Sequence, residues 1–334
     1  KYKVVDEKML REMVKNEEDV TEVVTSRVTD MSSLFNHYGN DLYAEGFDQD
    51  ISSWDVSAVK NMQQMFYMAK NFNQDISAWD VSAVKNMQEI FYMAEDFNQD
   101  ISSWNVSNVT DMGNMFSHAE AFDQDIGSWD VSNVTNMGGM FYEAKSFSQD
   151  LGAWEVGNVV DMQWMFGQTN CDFYLGNWDI GKVRNMEGMF AESDFSPPMD
   201  WNVSEVTNME NMFRSNYYFN TDISNWNVAN VTNMEGMFDN AYHFNQDLSR
   251  WNVSKVTNMK NMFFEASAFN QDLSSWDVSK VTNMESMFGC EVGAYAFNQD
   301  LSRWDVNNVE TYDDFYDDSV DLDWTKPKPN FKPK

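Results

Sequence analysis

A carboxylate recurs at one place in the repeat along most of this chain, at Asp50, Asp75, Asp100, Asp125, Asp150, Asp222, Asp247, Asp272 and Asp300. Like charges at strand spacing repel one another unless a cation bridges them or a donor pairs with them. In one reading, the run Asp50, Asp75, Asp100, Asp125 and Asp150 is a line of weak calcium sites built from carboxylate oxygens. In the other, each side chain accepts from neighbouring backbone N–H groups in a turn. No compact oxygen cluster of the EF-hand kind is present. Calcium is the one cofactor the sequence suggests.

A second candidate chemistry is stacking. Aromatic and charged residues beyond the needs of a core stand at the variable positions of the repeat: Tyr67, Tyr92, His118, Tyr142, Trp164, Arg214, Tyr217, Tyr218, Tyr242, His243 and Phe264. Aromatic side chains are enriched at recognition surfaces, and their rings also stack on sugars. Asn-x-Ser/Thr acceptors occur at Asn105, Asn108, Asn133, Asn202, Asn230 and Asn252, where the repeat phrase itself generates them. A threonine column at Thr110, Thr135, Thr207, Thr232, Thr257 and Thr282 brings ice binding to mind, but it breaks at Lys60, Lys85, Val160 and Arg184. No enzyme is expected. The three histidines, His37, His118 and His243, fall in unrelated phases of the repeat, and no nucleophile elbow, phosphate loop or HExxH motif occurs.

These residues are positioned by a repeat. Eleven of the thirteen tryptophans, from Trp54 to Trp304 and leaving out Trp164, are spaced by 25 residues except in three places. The steps from Trp154 to Trp178 to Trp201 are short, and the step from Trp276 to Trp304 is long. A fixed period of this length marks a solenoid, whose single units cannot bury their apolar faces alone. Within a unit, Met62, Met65, Phe66 and Ala69 fall at i, i+3, i+4 and i+7, which predicts a short helix. Asn61, Asn86, Asp111 and their counterparts then act as N-caps. The stretch around Phe72, Ile76 and Trp79 reads as a short strand. The fold class is therefore α/β, a right-handed solenoid with one short strand and one short helix per repeat.

Residues 1–46 read as a helical N-terminal cap and partial repeat, with the helical pattern between Asp6 and Val24. Residues 47–316 form the solenoid of about eleven repeats. Residues 317–334 make an acidic C-terminal cap and a basic, proline-rich tail, read as an extended tether or linker. The formal net charge of −32 and the pI near 4.1 set against nucleic acid or an anionic membrane surface as partner. No apolar run is long enough to span a membrane, and the segment at Lys1 has no apolar stretch of signal-peptide type. The two cysteines, Cys171 and Cys290, lie five rungs apart, roughly 24 Å at strand spacing, so no internal disulfide is expected.

The phrase FNQDISSWNVSNVTDMGNMF at Phe97 to Phe116 returns as FNQDLSSWDVSKVTNMESMF at Phe269 to Phe288. It resembles the BspA-like leucine-rich-repeat surface proteins, also described as mycoplasma-lipoprotein-type repeats, across roughly residues 47 to 316. The resemblance implies a leucine-rich-repeat-like solenoid, secreted or displayed at a cell surface, with adhesion or recognition as its role. The phrase is lost at Cys171 to Tyr174 and interrupted by Pro197-Pro198. No lipoprotein cysteine stands near Lys1, so lipid anchoring is not expected. The sequence thus points to a binding protein whose acidic face and variable aromatic positions meet a protein or glycan partner. The alternative is a structural subunit that packs against copies of itself in a filament, coat or larger complex.

Overall fold

What the repeat builds follows from where its backbone N–H groups go. In the computed structural model, which describes residues 2–36, 46–170, 174–196, 199–290, 296–316 and 324–332, the segment Met62 to Ala69 is a run of turns rather than a helix. The N–H groups of Met62, Gln64, Phe66 and Met68 donate to the carbonyls of Asn86, Gln88, Ile90 and Tyr92 in the next coil, at 2.7 to 2.9 Å. The alternate residues Met65, Tyr67 and Ala69 donate three residues back within their own coil. Gln64 and Met68 sit at φ of +56° and +58°, in the left-handed region. An α-helix would need right-handed dihedrals throughout and bonds to residue i−4. The predicted helix is corrected on this point. The apolar spacing was real, because Met62, Met65, Phe66 and Ala69 are all buried.

The predicted strand is corrected too. Most coils contribute a single bridging residue in parallel register, such as Asn61 with Asn86 and Asn208 with Asn233. This is the column expected to cap helices. Its side chains instead close Asx turns, as Asn86 Oδ1 does by accepting the Gln88 N–H at 2.9 Å. Among the described residues, the only extended strands are β1 (Lys3–Val4) and β2 (Val23–Val24), paired in parallel at the N-terminal end.

The chain divides into two compact units, Lys1–Val159 with Gln168–Phe173, and Val160–Gly167 with Tyr174–Lys334. Each is a repeat solenoid with the same interior. The Ile/Leu, Trp, Val, Met and Phe columns are buried as the sequence predicts. Every regular coil is also clipped to the one before it through its tryptophan. Trp104 Nε1 donates to the Ile76 carbonyl at 3.2 Å in the first unit, and Trp251 Nε1 to the Ile223 carbonyl at 3.1 Å in the second. Phenylalanine rings stack within a coil, Phe91 on Phe97 at 3.9 Å, and between coils, Phe91 on Phe116 at 5.7 Å. The Phe-Asn-Gln-Asp phrase supplies an amide ladder. Asn98 Oδ1 accepts the Asp123 N–H and the Gln124 side-chain amide at 3.0 and 2.7 Å.

The ends close the stacks. Helix α1 (Glu7–Lys15) begins at Asp6, whose carboxylate accepts the Met9 N–H, and it buries Leu10, Met13 and Val14. Arg11 reaches the Ser32 carbonyl, tying the helix to the first partial coil. At the other end the lysine- and proline-rich segment is not a tether. Trp324 packs edge-on against Phe297 at 4.9 Å, Phe331 stacks on Tyr312 at 4.4 Å, and the Leu301 N–H donates to the Pro327 carbonyl. A raw apolar end would otherwise face water, and these rings cover it. Cys171, Pro197-Pro198 and the acidic run Asp317 to Asp323 lie outside the described residues.

Two stability measurements check this account. Trp251→Phe removes the clip to the Ile223 carbonyl and leaves a void, so it is expected to cost about 2–4 kcal/mol in chemical denaturation. Ser286 sits at φ +51° in the column that holds Gly139, Gly188 and Gly236. Ser286→Gly is therefore expected to stabilise by up to about 1 kcal/mol, against the usual cost of glycine.

Candidate functional site

The repeat decides which polar residues have their bonds committed to the scaffold. In the carboxylate column, Asp50, Asp75, Asp100, Asp125 and Asp150 each accept the backbone N–H two residues on, at 2.8 to 3.1 Å. Hydrogen bonds from the Ser side chain and backbone two positions on hold the Asp50, Asp75 and Asp100 carboxyls below the usual carboxylate range. The geometry is that of the Asx turn. Among the described residues no group of three or more His, Cys, Asp or Glu side chains is placed to hold a metal ion.

The glycosylation acceptors divide in the same way. Asn108, Asn133 and Asn230 donate their Nδ2 groups to Ser82, Ser107 and Ser204 carbonyls one coil back. Asn105, Asn202 and Asn252 are exposed and accept turn N–H groups through Oδ1.

The aromatic positions also separate into used and exposed. Tyr67 and Tyr92 stack at 4.8 Å, half-buried, and Tyr92 and Tyr142 flank His118 edge-on. His118 also meets Glu143 at 3.2 Å. Trp164 stands at φ +53° with its indole laid over Gly188, where a Cβ would meet ring atoms at 2.4 Å, and its Nε1 donates to Glu187. Phe264 lies over Gly289 in the same manner. These two rings pack one coil against the next.

Tyr217, Tyr218, Tyr242 and His243 differ. In the first unit the Tyr217–Tyr242 column holds Lys70 and Glu95, paired at 3.2 Å, and Glu120 and Lys145, paired at 2.6 Å, while the Tyr218–His243 column holds Asn71, Asp96, Ala121 and Ser146. In the second unit the same places carry rings in two stacked pairs, Tyr217 on Tyr242 at 5.1 Å and Tyr218 on His243 at 5.4 Å. Tyr217, Tyr218 and Tyr242 are 44%, 63% and 39% exposed, so no core requirement places them there.

The scaffold holds this face firmly. The His243 backbone N–H and its ring Nδ1 both meet the Tyr217 carbonyl, at 3.2 and 2.8 Å. A carbonyl only accepts, so Nδ1 carries the hydrogen. Beneath Tyr217, buried Asn216 stands where most coils have alanine and donates Nδ2 to the Phe195 carbonyl. Tyr242 donates its hydroxyl to Asn240 Oδ1 at 3.1 Å, and the Asn240 amide donates to Asp239 at 2.6 Å. Burial pushes the Asp239 carboxyl up to about 6, with Glu265 adding to the rise and Arg214, at 3.8 Å, and Asn240 opposing it. Burial also raises the Tyr242 phenol, helped by Tyr217, Glu265, Asp239 and Cys290. Cys290 is buried and reduced.

The sequence named Tyr217, Tyr218, Tyr242 and His243 singly. It did not single out Asp239, Asn240 or Asn216. A signal existed, because Arg214 and Asp239 are opposite charges one period apart, as are Lys70 with Glu95 and Lys260 with Glu285. The short step before Trp201 was legible as an irregular rung, but the cavity it leaves was not. Only one residue separates Met199 from Trp201, where regular coils put two between Ile and Trp, and a 280 Å³ cavity opens there beside Asp200, Asn202, Asp222, Asn225 and Trp226.

A family model described as Mycoplasma protein of unknown function, DUF285, matches residues 6–110, 77–172, 169–272 and 247–326. The chain belongs to this family. The mycoplasma-type repeat read from the sequence is thereby borne out. Comparison with curated proteins and with solved structures finds no match. In this DUF285 chain the aromatic face departs from the repeat within an otherwise regular scaffold, and no helix among the described residues is long and apolar enough to cross a membrane.

Two further measurements follow. Asp239 has a folded-state pKa above its unfolded value, so its contribution to stability is fully present below pH about 4 and is lost as pH rises through about 6. Relative to the native chain, Asp239→Asn should gain on the order of 2 kcal/mol in thermal melts between pH 4 and 7. The lowered Asp75 works in the opposite sense, its stabilisation vanishing only below the usual carboxylate range. Asp75→Ala should lower the melting temperature at pH 7, with no recovery on adding calcium.

Proposed function

We propose that this chain is a binding module, secreted or displayed at a cell surface, that takes a protein or glycan partner on the Tyr217–Tyr218–Tyr242–His243 face. One observation carries the reading. At the column where the first unit closes its surface with cross-coil ion pairs, and at the column beside it, the second unit carries stacked rings on a rigid backbone. Rigid tyrosines give large contact area at small entropic cost, which suits recognition. The resemblance of the repeat phrase to BspA-like surface proteins supports the same role, adhesion or recognition outside the cell. The Asx-turn, amide and tryptophan ladders account for most of the remaining polar columns as scaffold, which leaves this face as the departure from the repeat best suited to a partner.

The test is a protein and glycan array probed with the native chain and with a Tyr217→Ser, Tyr218→Ser, Tyr242→Ser variant. Saturable binding by the native chain, lost in the variant at unchanged melting temperature, is the expected result. An inert native chain that instead assembles end to end or side by side would overturn the reading in favour of a structural subunit.

A further inference from the structure

We propose that the partner of the tyrosine face is an extended peptide segment rich in lysine and proline. This deepens the binding reading above and rests on it. The first ground is charge. The chain carries a net charge of −32, and Glu265 and Asp239 border the face with Arg214 as the cation beside them. A cationic segment is drawn to such a surface, and an acidic one is repelled. The second ground is shape. Tyr217 and Tyr242 lie within 8° of parallel at 5.1 Å, so each ring covers one face of the other and leaves the rest of its surface exposed along the stack. Exposed aromatic rings take ammonium groups and proline rings against them.

The third ground is the chain's own C-terminal segment, which shows how such a peptide meets the aromatics of a coil. Lys328 holds its Nζ 4.0 Å from the Tyr316 ring centroid and 5.6 Å from that of Trp324. Phe331 stacks on Tyr312, and the Tyr312 hydroxyl donates to the Lys332 carbonyl at 2.6 Å. Lysine over a ring and a ring on a ring are the contacts required, and a tyrosine hydroxyl to a peptide carbonyl adds to them. Tyr217 and Tyr218 present the same groups to solvent on the second unit.

The experiment uses the full chain and a fluorescein-labelled peptide with the sequence Lys-Pro-Lys-Pro-Asn-Phe-Lys-Pro-Lys, followed by anisotropy at low salt. A second peptide replaces every lysine with glutamate. Saturable binding of the first alone is expected, weakened at least about tenfold by Tyr217→Ser with Tyr242→Ser and severalfold by raising the salt. Tyr217→Phe with Tyr242→Phe, which keeps the rings, should retain most of it, and a circular-dichroism melt checks that each variant folds. Equal binding of the two peptides, or binding indifferent to the tyrosine variant, overturns the proposal. If the basic peptide fails while an oligosaccharide binds in a Tyr217-dependent way, the partner class is overturned and the recognition face stands. If no array component binds in a Tyr217-dependent way, both fall.

Discussion

The structure depends on the transfer of backbone hydrogen bonds from within a coil to between coils. A left-handed residue at Gln64 and another at Met68 turn alternate N–H groups outward, and the next coil's carbonyls receive them. Left-handed backbone costs an L-residue roughly 1–2 kcal/mol. That cost recurs in most coils, at Glu89, Met93, Asn114, His118 and onward, so no isolated coil is expected to hold the conformation. Stacking compensates for it with inter-coil hydrogen bonds, the tryptophan clips and buried phenylalanine columns. This is why the family's unit is a repeat and why each end needs a cap.

Once this register is set, every side chain gains two fixed neighbours, the same position one coil before and one coil after. Opposite charges at that spacing become ion pairs, as with Lys145 and Glu120. Rings become stacks, as with Tyr67 and Tyr92. Carboxylates in the Asp75 column would become a repelling row, and each is steadied by the turn N–H it accepts. The same rule makes the tyrosine face possible. Four rings at two columns on consecutive coils are forced into two parallel pairs, and the hydrogen bonds of His243 and Tyr242 hold them.

Irregular coils are where the scaffold yields something other than itself. Loss of one residue between Met199 and Trp201 opens a cavity, and a buried asparagine takes an alanine's place at Asn216 to reach the Phe195 carbonyl. Buried Asp239, one coil on from Asn216, is linked through Asn240 to the Tyr242 hydroxyl. Its carboxyl is held near neutrality by desolvation against the pull of Arg214.

From the sequence alone, the period, the inward columns, the helical N-terminal cap and the list of aromatic candidates were all legible. Each follows from composition at a fixed spacing. The local backbone was not legible, because Met62, Met65, Phe66 and Ala69 face inward equally well from a helix or from a left-handed turn. Only the choice of hydrogen-bond partner distinguishes the two, and that partner lies one repeat away. The same limit hid the tail, whose lysines and prolines read as a linker until Trp324 and Phe331 found rings to cover. It also hid which aromatics are free to bind. Trp164 and Phe264 carry the same chemistry as Tyr217 and Tyr218, but glycines in the next coil, Gly188 and Gly289, give them a place to lie. Residue type determined what each side chain was able to do, and the neighbouring coil decided whether it was already doing it.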